Sequence, residues 1–473
     1  MAGSRGLGME GFSARIRRSR RWFLGIGAFL LLTAGAIAAF AFIDFERYRS
    51  DDDRVTRLAA ADLSTPAAPT ARTDWPQWRG PNRDGVSLES GLLDAWPDAG
   101  PPILWKKPIG RGFSSFAVAD GRLFTMEQEE PDPATGEIFE CIVCLDAQTG
   151  NDLWRFRYSS HFEERFGPGP RSTPAVDGGF VYAVGPTGIM HCLRTRSGEK
   201  VWRRDLLDDF HGRPMQYGVA FSPLVDGNHL YVAPGGPAGN SVSALDKSTG
   251  SLAWKAKDDP ASYSSPIAAT LAGSRQILFL TNTELVSFSP DGVELWHYPW
   301  KIEDGFNIAS PIAFGNYVFI ASGYGKGCAL LEVTAGPEGV PQAGRVYEHN
   351  RMRPYFASPV RLGDYMYGFD QTDLICMNVR TGAIAWREKG LREFRKGSLL
   401  AADGRLIILG ESGKLSLVEA APGGYREIST CRVSKTRCWT CPALADGRLF
   451  VRDDAEIVCF DLRNPGQRMA NGE

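Results

Sequence analysis

The sequence predicts an all-β fold, an eight-bladed β-propeller of four-stranded antiparallel blades. Three observations predict it. A unit of roughly 40–50 residues recurs between Phe113 and Leu462, and such a period built from short strands and Gly-bearing turns marks a propeller or repeat array. The units share an ending: Leu145-Asp146, Thr149-Gly150 and Trp154 return as Leu245-Asp246, Thr249-Gly250 and Trp254. Met377-Asn378, Thr381-Gly382 and Trp386 follow the same form, as do Leu193, Ser197-Gly198 and Trp202. Inside each unit an apolar run folds back at a tight turn, as at Asp120-Gly121 and Asp446-Gly447, and Asp-Gly between apolar alternations is a strong hairpin signal.

Taken from the N-terminus, residues 1–21 form a basic arm, with arginines at 5, 15, 17, 18, 20 and 21 against Glu10. Residues 22–43 carry no charge, and at ~1.5 Å rise per residue they match a ~30 Å hydrocarbon core. Basic residues before this segment and Asp44, Glu46 and Asp51 after it put the N-terminus in the cytoplasm and the rest outside. The expectation is one transmembrane helix, single-pass in the inner membrane, with the propeller in the periplasmic or extracytoplasmic space. A cleaved signal peptide is the alternative, with Ala34-Gly35-Ala36 or Ala36-Ile37-Ala38 as cleavage sites, although the apolar run exceeds the usual h-region. Residues 44–73 turn charged and then rich in Ala, Pro and Thr, the composition of a flexible tether. Residues 74–473 form the propeller domain, beginning at Asp74-Trp75-Pro76-Gln77-Trp78-Arg79-Gly80-Pro81.

Within that domain the blades open on a small polar residue, mostly before proline: Thr173, Ser222, Ser265, Ser310, Ser358 and Cys441, with Ser115 and Ser398 in the other two. The fifth and seventh units lack the terminal tryptophan and have Tyr347 and Tyr425 nearby. The eighth ends at Phe460-Asp461-Leu462 without a fourth strand, and Ile103-Leu104-Trp105-Lys106 has the form of that strand. Pairing it with the last blade closes the ring and removes an exposed sheet edge. Seven blades is the alternative, should a weak unit be a loop. Trp105, Trp154, Trp202, Trp254, Trp296 and Trp386 are expected to lie across the neighbouring blade, ring buried and N–H bonded to backbone.

These endings resemble the pyrroloquinoline quinone (PQQ) repeat over residues 105–462, and the chain is similar to the membrane-anchored PQQ-binding-like β-propeller proteins. That subgroup opens with a D-W-P-Q-W-R-G-P segment, here residues 74–81, and carries blocks like Gly167-Pro168-Gly169-Pro170-Arg171. Two relatives frame what the resemblance implies. One is the quinoprotein dehydrogenases, which hold PQQ and Ca²⁺ over the central channel. The other is the propeller subunit of the outer-membrane β-barrel assembly machinery, a scaffold without cofactor.

A quinoprotein site calls for an aspartate base, oxygen ligands for a hard cation and a surface that clamps the cofactor. Many alcohol-oxidising members clamp with adjacent cysteines. This sequence has no Cys-Cys pair and no haem Cys-x-x-Cys-His. No catalytic, cofactor-binding or metal-ligating residue is therefore assigned, and PQQ with Ca²⁺ belongs to the alternative reading. The six histidines are scattered without ligand spacing, and the net charge of −2 gives no nucleic-acid footprint. Cys431, Cys438, Cys441 and Cys459 cluster in the last two units, open between buried thiols, a disulfide and a weak zinc spacing. Polar residues beside the blade openings are the candidates for a binding site at the channel mouth: Arg171, Tyr217, Tyr263, Asn307, Tyr324 and Lys326, with Arg395 and Lys396 behind them. The expected function is a protein-binding scaffold in the cell envelope with a protein or peptide partner. A dehydrogenase and a small-ligand or carbohydrate binder are the alternatives.

Overall fold

The computed structural model describes residues 54–57, 73–303, 305–389, 394–464 and 466. The basic arm and the apolar segment 22–43 lie outside the described residues. Among the described residues no helix is long and apolar enough to cross a membrane.

Eight antiparallel sheets form the ring. Blade 1 runs from axis to periphery through Ala117–Ala119, Arg122–Gln128, Phe139–Asp146 and Asp152–Ser159. Blades 2 to 7 repeat that order, ending with Ser398–Ala402 to Glu427–Arg432. Blade 8 supplies Ala443–Ala445, Arg448–Arg452 and Glu456–Asp461, and its outer strand is Ile103–Pro108, with Trp105 opposite Cys459. The expected closure by a displaced strand is thus present, and the seven-blade alternative falls. Within the stretch read as a tether, Arg54–Arg57 adds a fifth strand to the outer edge of blade 1. Backbone pairing at an open edge needs no apolar side chains, so composition gave no sign of it.

The repeated ending makes the blade-to-blade joint. Asp146 Oδ1 accepts the N–H groups of Gln148 and Thr149 at 3.0 and 2.8 Å, and Asp246 and Asn378 serve the same purpose in their turns. Gly150 follows at φ +73°, and a Cβ there would sit 2.7 Å from the indole of Trp105. That indole, from the preceding blade, donates to Ala147 O at 3.2 Å. Trp154 repeats the joint over Gly198 with Thr195 O, Trp202 over Gly250 with Lys247 O, and Trp254 over Gly292 with Pro290 O. Trp386 donates to Ala421 O.

Trp296 departs from the pattern. Its ring still packs with Val318 and Ile320 of the next blade, but its N–H goes to Gln276 Oε1 of its own blade at 2.8 Å. The receiving blade links Gly327–Ala335 to Pro341–His349 by a longer turn with no Thr-Gly, so the acceptor is missing. In that blade Tyr347 makes the outward bond instead, to Val379 O at 2.8 Å.

A second ring of bonds runs round the axis. The Thr173 N–H donates to Ser222 Oγ, Ser222 N–H to Ser265 Oγ, and Ser310 N–H to Ser358 Oγ, each at 2.9 Å. The small polar residues that open the blades are therefore inter-blade links. At the closing seam Ser115 Oγ donates to Cys441 O, and the buried Arg452 guanidinium donates to the carbonyls of Ser114, Met126 and Gly110. Apolar clusters cross the joints: Phe124, Ile142 and Trp154 of blade 1 pack with Val181 and Leu193 of blade 2. All nine cysteines are free, and every one but Cys441 is fully buried.

Candidate functional site

The channel is closed at one end by the segment that carries the two early tryptophans. Trp75 exchanges both backbone bonds with Val118, Pro76 O accepts from Val176 N–H, and Ser87 N–H donates to Ala401 O. These partners are axial strands at the Asp-Gly-turn end of the ring. The segment then reaches inward. Trp78 Nε1 donates to Ser310 Oγ at 3.1 Å, Arg79 donates to the carbonyls of Pro359 and Asp84, and Arg83 donates to those of Ser222 and Pro223. The plug is therefore bonded to blades on several sides of the axis. Burial lowers the pKa of both arginines, that of Arg83 to about 9 with Arg79 adding repulsion. The Asp84 carboxylate works against that lowering at Arg79, whereas Arg83 has no carboxylate partner among the described residues.

Above the plug lies a cavity of about 390 Å³, opening at the end of the ring where the inter-blade connections gather. Its floor includes Trp78, Arg79 and Cys441. Burial pushes the Cys441 thiol up to about 11, so it is not a ready thiolate. The wall is aromatic, with Trp439 lying 5.5–5.6 Å from the rings of Phe113, Phe166 and Phe356. Tyr217, Tyr263, Tyr324 and Tyr355 also line it, and Tyr263 Oη accepts the Tyr217 N–H at 2.9 Å.

Arg171 is locked into the wall. It donates to Glu164 at 2.8 Å and to the carbonyls of Gly167 and Gly169, its guanidinium lying near the faces of Phe113 and Phe162. Lys396 points its ammonium among Phe166, Tyr355 and Trp439 at 5.4–5.5 Å from each ring.

Four of the six residues expected at the channel mouth, Arg171, Tyr217, Tyr263 and Tyr324, line this cavity, and Lys396 joins them. Asn307 does not. It is fully buried, donating to Thr281 O and Trp300 O and accepting from Ser322 Oγ, so it braces a connection. Lys326 does not either. It lies over Trp300 and pairs with Glu348 at 3.3 Å, and these contacts hold it away from the lining. Arg395 is exposed and outside the lining. Sequence reasoning missed Trp78, Arg79, Phe113, Phe166 and Trp439. Their signals were the Trp-Arg pair at 78–79 and a tryptophan between two cysteines at 438 and 441, both readable as packing.

The donor set bears on a metal or quinone. A hard cation takes about six to eight oxygen ligands. The described lining holds one carboxylate, Glu164, already engaged by Arg171, beside the cations Arg79 and Lys396. These residues do not make up a Ca²⁺–quinone site. Elsewhere Glu127, Glu129 and Cys141 approach one another, but Arg155 pairs with Glu127 and Arg157 with Glu129.

Comparison with known proteins places this geometry. Outer membrane protein assembly factor BamB of Shewanella oneidensis is 27% identical over 235 residues, 46% of this chain and 57% of that protein. The match thus spans little more than half of the relative's length. Among solved structures, BamB from Moraxella catarrhalis superposes with a TM-score of 0.54 at 13% identity, covering 77% of this chain and 99% of that one. The quinohemoprotein alcohol dehydrogenase of Comamonas testosteroni gives 0.59 at 13% identity, covering 83% and 81%. Both show the shared propeller. Residues 139–388 match the model of the family described as outer membrane protein assembly factor BamB, and the chain belongs to that PQQ-repeat propeller family.

Proposed function

We propose that this protein is a non-catalytic scaffold of the cell envelope, held to the membrane by residues 22–43 and binding a protein partner through the propeller. The cavity carries the reading. It is rigid, aromatic and cationic, and its one described carboxylate is tied up by Arg171. No histidine lies in its described lining. Such a surface is suited to recognition, where aromatic anchors and arginine carry most of the energy. A partner in an outer-membrane assembly is supported by the matched relative, whose name describes such a factor.

The test is crosslinking of the full chain in its native membrane, followed by partner identification. Deleting residues 74–473 should abolish capture, whereas exchanging residues 22–43 for an unrelated membrane anchor should not. Capture that survives the deletion would refute the scaffold role. The dehydrogenase reading has the propeller likeness in its favour and the donor set against it. Incubation with PQQ and Ca²⁺ that yields a bound quinone spectrum and dye-linked alcohol oxidation would reinstate it.

A further inference from the structure

Charge along the channel axis is unbalanced. Arg79 and Arg83 are 3% and 2% exposed and donate to backbone carbonyls; the Asp84 carboxylate offsets part of the charge of Arg79, while Arg83 has no carboxylate partner among the described residues. Carbonyl oxygens accept from the guanidinium Nη groups and leave the net positive charge in place. Low-dielectric walls screen that charge poorly, so its field extends into the cavity above. Lys396, which also lines the cavity, sits among three rings with no carboxylate partner among the described residues. Positive charge thus accompanies an aromatic lining.

The rim has its own character. Tyr324 and Tyr355 are 48% and 37% exposed, the composition of an interface centre and not of a closed ligand chamber. The volume lies near the lower end of the ~300–1,000 Å³ common for ligand pockets, and the mouth stays open. One or two side chains entering from a backbone at the rim would fill it. Two non-glycine residues lining the cavity hold left-handed backbone: Arg79 at φ +62° and Tyr324 at +54°. Bulky residues persist in that region only where the surroundings fix them, so floor and rim are pre-set before anything enters.

We infer that the cavity receives an acidic peptide segment of the partner. One carboxylate enters toward Lys396 and the field of Arg79, and a neighbouring aromatic side chain packs between Phe113, Phe166 and Trp439. The inference rests on the scaffold reading and names the chemistry of its partner.

The experiment uses the full chain in detergent and fluorescein-labelled hexapeptides of sequence Ser-Gly-Asp-Phe-Gly-Ser. Asn-for-Asp, Lys-for-Asp and Ala-for-Phe analogues accompany it, with benzoate as a free aromatic acid. Fluorescence anisotropy should show the Asp-Phe peptide binding about tenfold or more tightly than the Asn and Ala analogues, more weakly at high salt. Lys396→Glu should remove that preference and Lys396→Arg should keep most of it. Equal binding of all peptides, or an unchanged preference in Lys396→Glu, overturns the inference. Benzoate matching the peptide overturns the peptide as the source of the carboxylate.

A photo-crosslinker placed at Tyr324, and separately at Val346 on the blade 5 hairpin, separates the two readings. Capture at Tyr324 that the Asp-Phe peptide competes away supports the inference. Capture at Val346 alone, without peptide selectivity, overturns it and leaves the scaffold standing.

Discussion

The Thr-Gly turns near the periphery and the cavity at the axis are both made where blades meet, yet they are built by opposite rules. Each peripheral joint is one tryptophan, one turn glycine and one carbonyl, used again from Trp105 to Trp254 with little change. Around the cavity every blade contributes something different: Arg171 from one connection, Tyr263 from another, Lys396 and Trp439 from later ones. A joint between like neighbours can be repeated, because its geometry recurs with the ring. An axial cavity exists once, and its parts need match only each other.

The largest expected difference between the two regions is in stability. Trp154 is 1% exposed, packs with Phe124 and Val181, and bonds to Thr195 O. Trp154→Ala should cost about 3–5 kcal/mol, read as a lowered urea midpoint. Trp439 keeps one face on the cavity, so Trp439→Ala should cost distinctly less. Equal losses would mean that the cavity wall is as much a part of the core as the joints, and the contrast would fail.

A pH measurement probes the ground between the regions. Glu140 is fully buried at the joint of blades 1 and 2, accepts from Tyr158 Oη, and burial pushes its pKa up to about 7. The folded state then holds a proton that the unfolded chain releases near 4.5, so stability falls as pH rises from about 4.5 to 7 and stays lower above. A rise of that size corresponds to roughly 3 kcal/mol. Glu140→Gln should raise stability at pH 8 by up to that amount and leave it unchanged at pH 4. Glu89, also pushed up to about 7, keeps some slope in the variant. A variant with the wild-type slope would locate the titration elsewhere.

What could be read in the sequence divides along the same line. The period, the Asp-Gly hairpins and the shared ending are local signals, and they placed the blades and the displaced strand Ile103–Pro108. Trp296 has the same local form as its fellows, but its acceptor depends on the length of a turn in the next blade. The cavity was legible only in part. Tyr217 and Tyr263 stand beside blade openings, so position along the chain found them. Trp78 and Arg79 reach the floor because a segment far ahead of the repeats crosses the whole ring, a long-range fact that no period encodes. Asn307 and Lys326 were chosen for polarity, and each satisfies a local partner instead.

A smaller effect isolates the joint itself. Gly198 and Gly178 both have positive φ, at +68° and +55°. A Cβ at Gly198 would lie 2.7 Å from the Trp154 ring, whereas one at Gly178 meets nothing within 4 Å. Gly178→Ala should therefore cost only the backbone term of about 1 kcal/mol, and Gly198→Ala should add an overpacking cost of about 1 kcal/mol or more. The difference between the two thermal midpoints measures how tightly the tryptophan docks. No difference would mean that the indole yields, and that the joint is looser than its geometry suggests.

The smallest expected stability effect belongs to the residue most exposed to function. Lys396 makes no ion pair among the described residues, and its ammonium only faces rings more than 5 Å away. Lys396→Ala should shift stability by no more than about 0.5 kcal/mol, as for surface substitutions away from packed features. A cation that contributes so little to the fold, held within an aromatic wall, is one whose contacts are left for something else. Should Lys396→Ala instead unfold the protein as readily as Trp154→Ala does, the lysine would be a structural plug, and axis and periphery would differ in pattern alone.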